Sequence, residues 1–233
     1  MDNWRSDALS PVTSTIVTEN SSSSEPQPSL GEEIANSVSH GVGLLVALVA
    51  GPLLIARAAG HGKSFGVIGV SVFVAAIVAM YAASTLYHAL PPGRAKRVFR
   101  VLEHCAIFVL IAGTYTPVTL VAIRGVWGWA LFGLVWLLAG AGILLKTVAT
   151  TKYRWLPGIL YLALAWLIVV AIRPLSHSVS FAGLMWLLAG GISYTVGMAF
   201  FAARRVPYCH FVWHLFVLTG TTCHFIAVWI SVV

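Results

Sequence analysis

The stretch His210-Phe-Val-Trp-His214-Leu-Phe-Val-Leu-Thr-Gly-Thr-Thr-Cys-His224-Phe-Ile-Ala-Val-Trp-Ile230 contains no Asp, Glu, Lys or Arg. It is long enough to cross a bilayer, which takes about 20 apolar residues of helix. Its histidines set it apart. His210 and His214 stand four residues apart, on one face of a helix, so both imidazoles address the same object. Ionisable side chains inside a bilayer are costly and mark functional positions. His224 lies about 15 Å deeper by helical rise and reads as a hydrogen-bonded packing residue.

The rest of the chain has the same character. It is 59% hydrophobic and 9% charged, against roughly a quarter charged in soluble domains. The fold class is therefore all-α, a polytopic membrane protein. Its 233 residues accommodate about seven helices of roughly 20 residues with short loops. Seven apolar segments fall at 34–57, 64–89, 101–122, 127–146, 155–172, 181–203 and 209–232. Turn residues separate them: Gly60 and Gly62, Pro91-Pro92-Gly93, Gly125, Pro174 and Pro207. Residues 1–31 are polar and Ser-rich without helical period, and read as a disordered N-terminal tail before a transmembrane domain at 32–233. No cleavable secretory signal precedes the first segment, which is expected to act as an uncleaved anchor. Cys105, Cys209 and Cys223 lie in or beside apolar segments and imply packing rather than disulfides.

The basic residues report topology. Arg5, Arg94, Lys96, Arg97, Arg100, Lys146, Lys152, Arg154, Arg204 and Arg205 fall on one side of a seven-span arrangement. Arg57, Lys63, Arg124 and Arg173 fall on the other. The positive-inside rule then puts the N-terminus in the cytoplasm and the C-terminus outside. The net charge of +7 thus belongs to membrane loops, and nucleic acid is not an expected partner.

That topology makes a statement about depth. Six of the seven acidic residues lie within the first 33 positions, leaving Glu103 as the lone acid beyond them. Segment 2 runs inward, so Ser84 and His88 occupy its last turns. Segments 3 and 7 start inside, which brings Glu103, His210 and His214 to the same level. Segment 1 adds Glu33, Asn36 and His40. Three neutral imidazoles with a fourth position left open are the ligand set of a catalytic-type zinc site. Such a metal lowers the pKa of water to about 7, with Glu103 and Ser84 as candidate catalytic partners. Simpler roles stand beside these. A carboxylate is stabilised at a helix N-terminus, serine back-bonds to helix carbonyls, and His61 and His177 read as loop residues.

The strings Glu32-Glu33-Ile-Ala-Asn36-Ser-Val-Ser-His40-Gly-Val-Gly43, Ser84-Thr-Leu-Tyr-His88, Ala112-Gly-Thr-Tyr-Thr-Pro117 and His210-Phe-Val-Trp-His214 resemble, in order, those of the hemolysin III family of bacterial membrane proteins. That family is related to the progestin and adiponectin receptors and, more remotely, to alkaline ceramidases. The resemblance implies a seven-helix bundle in the bacterial plasma membrane, with zinc near the cytoplasmic face held by His88, His210 and His214. It also implies roles for Ser84 and for the acid of segment 3. The family usually has aspartate there, and this chain has Glu103.

Three functions are open at this point. The relatives imply zinc-dependent hydrolysis of a lipid amide or ester, with membrane lipids such as a ceramide-like molecule as substrate. The family's name implies a pore-forming cytolysin. A receptor-like sensor with structural zinc is the third. A water-filled pore requires polar residues along whole helices, whereas segments 4 and 5 are almost wholly apolar.

Overall fold

The computed structural model describes residues 28–62, 64–148, 156–203 and 206–232. The disordered tail expected at 1–31 falls mostly outside the described residues. Seven helices cross the molecule: α1 Leu30–Gly60, α2 Ser64–Ala89, α3 Arg94–Ile123, α4 Gly125–Val148, α5 Leu156–Ser178, α6 Phe181–Ala202 and α7 Cys209–Ser231. Each is long and apolar enough to span a bilayer. There is no strand among the described residues. The all-α seven-span bundle expected from the segments is the observed fold.

Most of the membrane-crossing stretch of α3 is buried (72%), whereas α5 is the least covered (17%). Lipid tails are as apolar as a leucine core, so helices in a bilayer associate through close packing and hydrogen bonds rather than hydrophobic force. Small residues provide that closeness between α2 and α3. A Cβ on Gly69 would sit 3.0 Å from the Pro117 backbone, and one on Gly113 would meet Ala76 at 2.5 Å. Phe73, Met80, Phe108, Val135 and Val217 fill the interior. Leu45, Val49, Leu137 and Val170 lie on the exterior, facing the lipid. Phe65 and Trp129 meet edge to face where α2 and α4 begin, at the level where aromatic residues favour the headgroup boundary.

Three boundaries differ from the apolar segments, each for a physical reason. α1 starts at Leu30 because Ser29 caps it: Ser29 Oγ accepts from the Glu32 N–H while Glu32 Oε2 accepts from the Ser29 N–H. Two orphan donors are satisfied reciprocally. α3 starts at Arg94, so the basic stretch expected as a loop is the first two turns of a helix. Lys96 holds that turn by donating to the Tyr87 and Leu90 carbonyls at the end of α2. α5 runs past Pro174 because it is broken: α-helix to Ala165, 3-10 helix over Trp166–Ala171, then a new α-helical piece from Ile172. Pro174 sits in the first turn of that piece, where no N–H partner is needed. Tyr115 of α3 repairs the break. Its hydroxyl faces the Leu164 and Ala165 carbonyls and accepts the Ile168 N–H at 2.7 Å.

Candidate metal centre

Four side chains from three helices converge at one end of the bundle: His88 (α2), Glu103 (α3), and His210 and His214 (α7). One ligand atom from each lies within 4.8 Å of every other. His88, Glu103 and His214 are buried and His210 is partly buried. The four-residue spacing that put both α7 imidazoles on one face holds, with His214 Nε2 3.1 Å from His210 Nε2. Ser84 is fully buried one turn before His88, and its hydroxyl donates to Glu103 Oε1 at 2.7 Å. All five residues singled out from the sequence therefore meet at one place.

Outward-facing bonds determine which nitrogens face inward. His214 Nδ1 lies 3.1 Å from the Asn36 carbonyl, an acceptor only, so that nitrogen carries the proton. Ser39 Oγ is 3.2 Å from the same nitrogen while donating to the Asn36 carbonyl. His88 Nδ1 lies 2.7 Å from Glu33 Oε2, which again assigns it the proton. Both rings thus turn Nε2 toward the centre. His88 Nε2 is 3.4 Å from Glu103 Oε1 without hydrogen-bond alignment, and it is a buried nitrogen with no hydrogen-bond partner among the described residues. Buried polar atoms are almost always satisfied, so an exception needs a cause. A cation among the inward nitrogens provides one. Three imidazole nitrogens and a carboxylate oxygen are donors that zinc accepts, so the residues fit the metal.

α1, whose Glu33, Asn36 and His40 were expected at this level without a role, flanks the cluster. Glu33, Asn36 and Ser39 hold the imidazoles from outside, and His40 stacks on His214 with ring centroids 3.7 Å apart and planes 6° from parallel. Both His40 ring nitrogens are buried without hydrogen-bond partners among the described residues. The signal was available: Glu33, Asn36 and His40 fall at helical spacings of three and four, on one face of an otherwise apolar segment. His224 is a packing residue, with Nε2 3.2 Å from the Leu187 carbonyl.

A cavity of about 330 Å³ lies deeper in the bundle. Met80, Ile107 and Val217 line it, each one turn or less below Ser84, Glu103 and His214. Val169, Ile172, Met185 and Leu188 also line it and are themselves exposed, so it opens toward lipid between α5 and α6.

Residues 29–225 match the family described as Haemolysin-III related. The chain is similar to Hemolysin-3 of Bacillus cereus, 40% identical over 84% of this chain and 90% of that one. It is similar to a Hemolysin-3 homolog of Bacillus subtilis at 38% identity, over 84% of this chain and 92% of that one. A more distant likeness is the human Monocyte to macrophage differentiation factor, 26% identical over 87% of this chain and 85% of that one. With seven apolar spans and a match covering every helix but the end of the last, this chain is a multi-pass membrane protein and belongs to the haemolysin-III-related family.

Proposed function

We propose that the cluster holds zinc and that the protein is a metal-dependent hydrolase of a lipid amide or ester, with a ceramide-like lipid as the substrate type. The observation that carries this reading is a buried His/Glu cluster set one helical turn above an apolar cavity that opens to lipid. His88, His210 and His214 would be the ligands. Bound there, zinc supplies Lewis-acid polarisation of a carbonyl and lowers the pKa of a water molecule.

The protein's own groups do the rest. Glu103 faces His88 and His214, with Oε1 3.4 and 3.9 Å from their Nε2 atoms, where its carboxylate takes up a proton and returns it to the leaving group. Ser84 fixes the position of Oε1 through its 2.7 Å bond. The cavity walls exclude water and accept an aliphatic chain, placing the polar linkage of a lipid at the level of Glu103. The deciding experiment is metal analysis of purified wild type and His210→Ala, with product analysis on mixed lipid amides and esters from the same samples. The wild type is expected to carry close to stoichiometric zinc and to release fatty acid. Absence of metal from the wild type sinks the reading at its first step.

The hemolysin name of the two Bacillus relatives favours a second reading, a cytolysin. Its requirement is different: leakage from liposomes that survives substitution of all three histidines.

A further inference from the structure

Glu33 opens α1 beside Glu32, and the two adjacent carboxylates point to different tasks. Glu32 serves the fold. One oxygen caps α1 through the Ser29 N–H and the other accepts the Tyr208 N–H at 2.7 Å, at the start of α7. Glu33 makes neither contact. Its Oε2 takes His88 Nδ1 at 2.7 Å, and its Oε1 takes Lys96 Nζ at 2.9 Å. Lys96 in turn donates to the Tyr87 and Leu90 carbonyls at 3.0 and 3.1 Å. All three N–H donors of the ammonium are therefore committed, and it cannot swing away without leaving two carbonyls bare. Its position over the Tyr87 ring, 5.0 Å from the centroid, fixes it further.

Stability alone is a poor account of this pair. Glu33 and Lys96 side chains are each only 16% exposed, and the desolvation cost of a covered ion pair offsets most of its attraction. The end of α1 is already held by the capping box and by Tyr208. What the Glu33 carboxylate does uniquely is accept a hydrogen bond from His88 Nδ1–H at 2.7 Å. An imidazole has two ring nitrogens, and the one that binds a cation is decided by the bond the other makes. Asn36 is the weaker partner, its side-chain amide reaching His88 Nδ1 at 3.5 Å against 2.7 Å for the carboxylate.

We propose that Glu33, clamped by Lys96, is the positioning residue of the metal centre: it holds the His88 proton on Nδ1 and so turns Nε2 toward Glu103 and the α7 histidines. This rests on the metal reading for its purpose, but the proton's location is a property of the protein itself. α1, α2 and α3 each supply one member of the chain Lys96–Glu33–His88.

The test compares wild type, Glu33→Ala, Glu33→Gln, Lys96→Met and, as a fold control, Glu32→Gln. Histidine-selective nitrogen NMR of the metal-free proteins reads the protonated nitrogen of His88, assigned with His88→Asn. Competition with a chromophoric chelator reads zinc release from the loaded proteins. Wild type and Glu32→Gln are expected to show an Nδ1–H form of His88. Glu33→Ala is expected to lose that preference and release zinc about 10- to 100-fold faster. Glu33→Gln, which keeps an acceptor oxygen, should recover part of both effects, and Lys96→Met should fall between. Glu32→Gln should melt earlier while leaving the His88 signal unchanged. A Glu33→Ala protein with wild-type tautomer and wild-type zinc release overturns the proposal. So does equal impairment in Glu32→Gln, which would make the role structural. Wild type that binds no zinc refutes the metal reading, and the nitrogen spectra of the same samples still decide the position of the proton.

Discussion

At the scale of single residues, Ser84 and Glu103 are where the proposed chemistry can be tested apart from metal binding. Ser84 touches the carboxylate and no imidazole nitrogen of the cluster. Ser84→Ala is expected to keep the zinc stoichiometry of the wild type while lowering turnover about 10- to 100-fold. Glu103→Gln should retain the fold and cost more, about 10²–10⁴-fold in turnover, since it removes the proton carrier of the proposed mechanism. Side-by-side metal content and rates check both. These two residues, with His88, His210 and His214, were legible because polar groups are rare in such segments and loop charge counts placed them at one depth. Glu33 was visible at that depth but not as a partner of His88. Depth alone does not pair side chains, and the 2.7 Å approach of Glu33 to His88 depends on how α1 and α2 pack. Lys96 was hidden for a similar reason: a lysine in a basic run reads as a topology signal, and only the end of α2 reveals its partners.

At the scale of elements, the seven spans were readable because the bilayer imposes length and polarity together. The ends were less so, since helices extend beyond the apolar stretch wherever a cap or a neighbouring carbonyl holds them, as at Ser29 and Lys96. The break in α5 had no signature in its apolar run Trp166-Leu-Ile-Val-Val-Ala171. It depends on a hydroxyl from another helix. Tyr115→Phe removes the group that serves the α5 backbone on both sides of the break. The loss is expected to be about 1–3 kcal/mol, the cost of leaving buried backbone groups unsatisfied. Hydrogen exchange should show the Ile168 amide exchanging faster, with α3 unchanged. Protection at Ile168 equal to that of wild type would count against this account of the break.

At the scale of the whole molecule, the centre ties α1, α2, α3 and α7 together, so a ligand bound there should act on global stability. Chelation is expected to lower the unfolding temperature in detergent, and zinc to restore it. A metal present at about 1,000 times its dissociation constant contributes about 4 kcal/mol. The same change in a His210→Ala protein would assign the effect to another site. Orientation is a second prediction at this scale. The loop charges put the cluster's end of the bundle in the cytoplasm, so single cysteines introduced near Arg94 should react with impermeant reagents in inverted vesicles and not in intact cells. The bond from Glu32 to the Tyr208 N–H and that from the His214 ring to the Asn36 carbonyl join the first helix to the last. During synthesis the acceptors on α1 enter the membrane long before their donors on α7 leave the ribosome. A chain interrupted after the sixth span has His88 but neither His210 nor His214. The proposed ligand set is therefore complete only once the seventh span has been made and inserted, and a metal held by it depends on both halves of the chain.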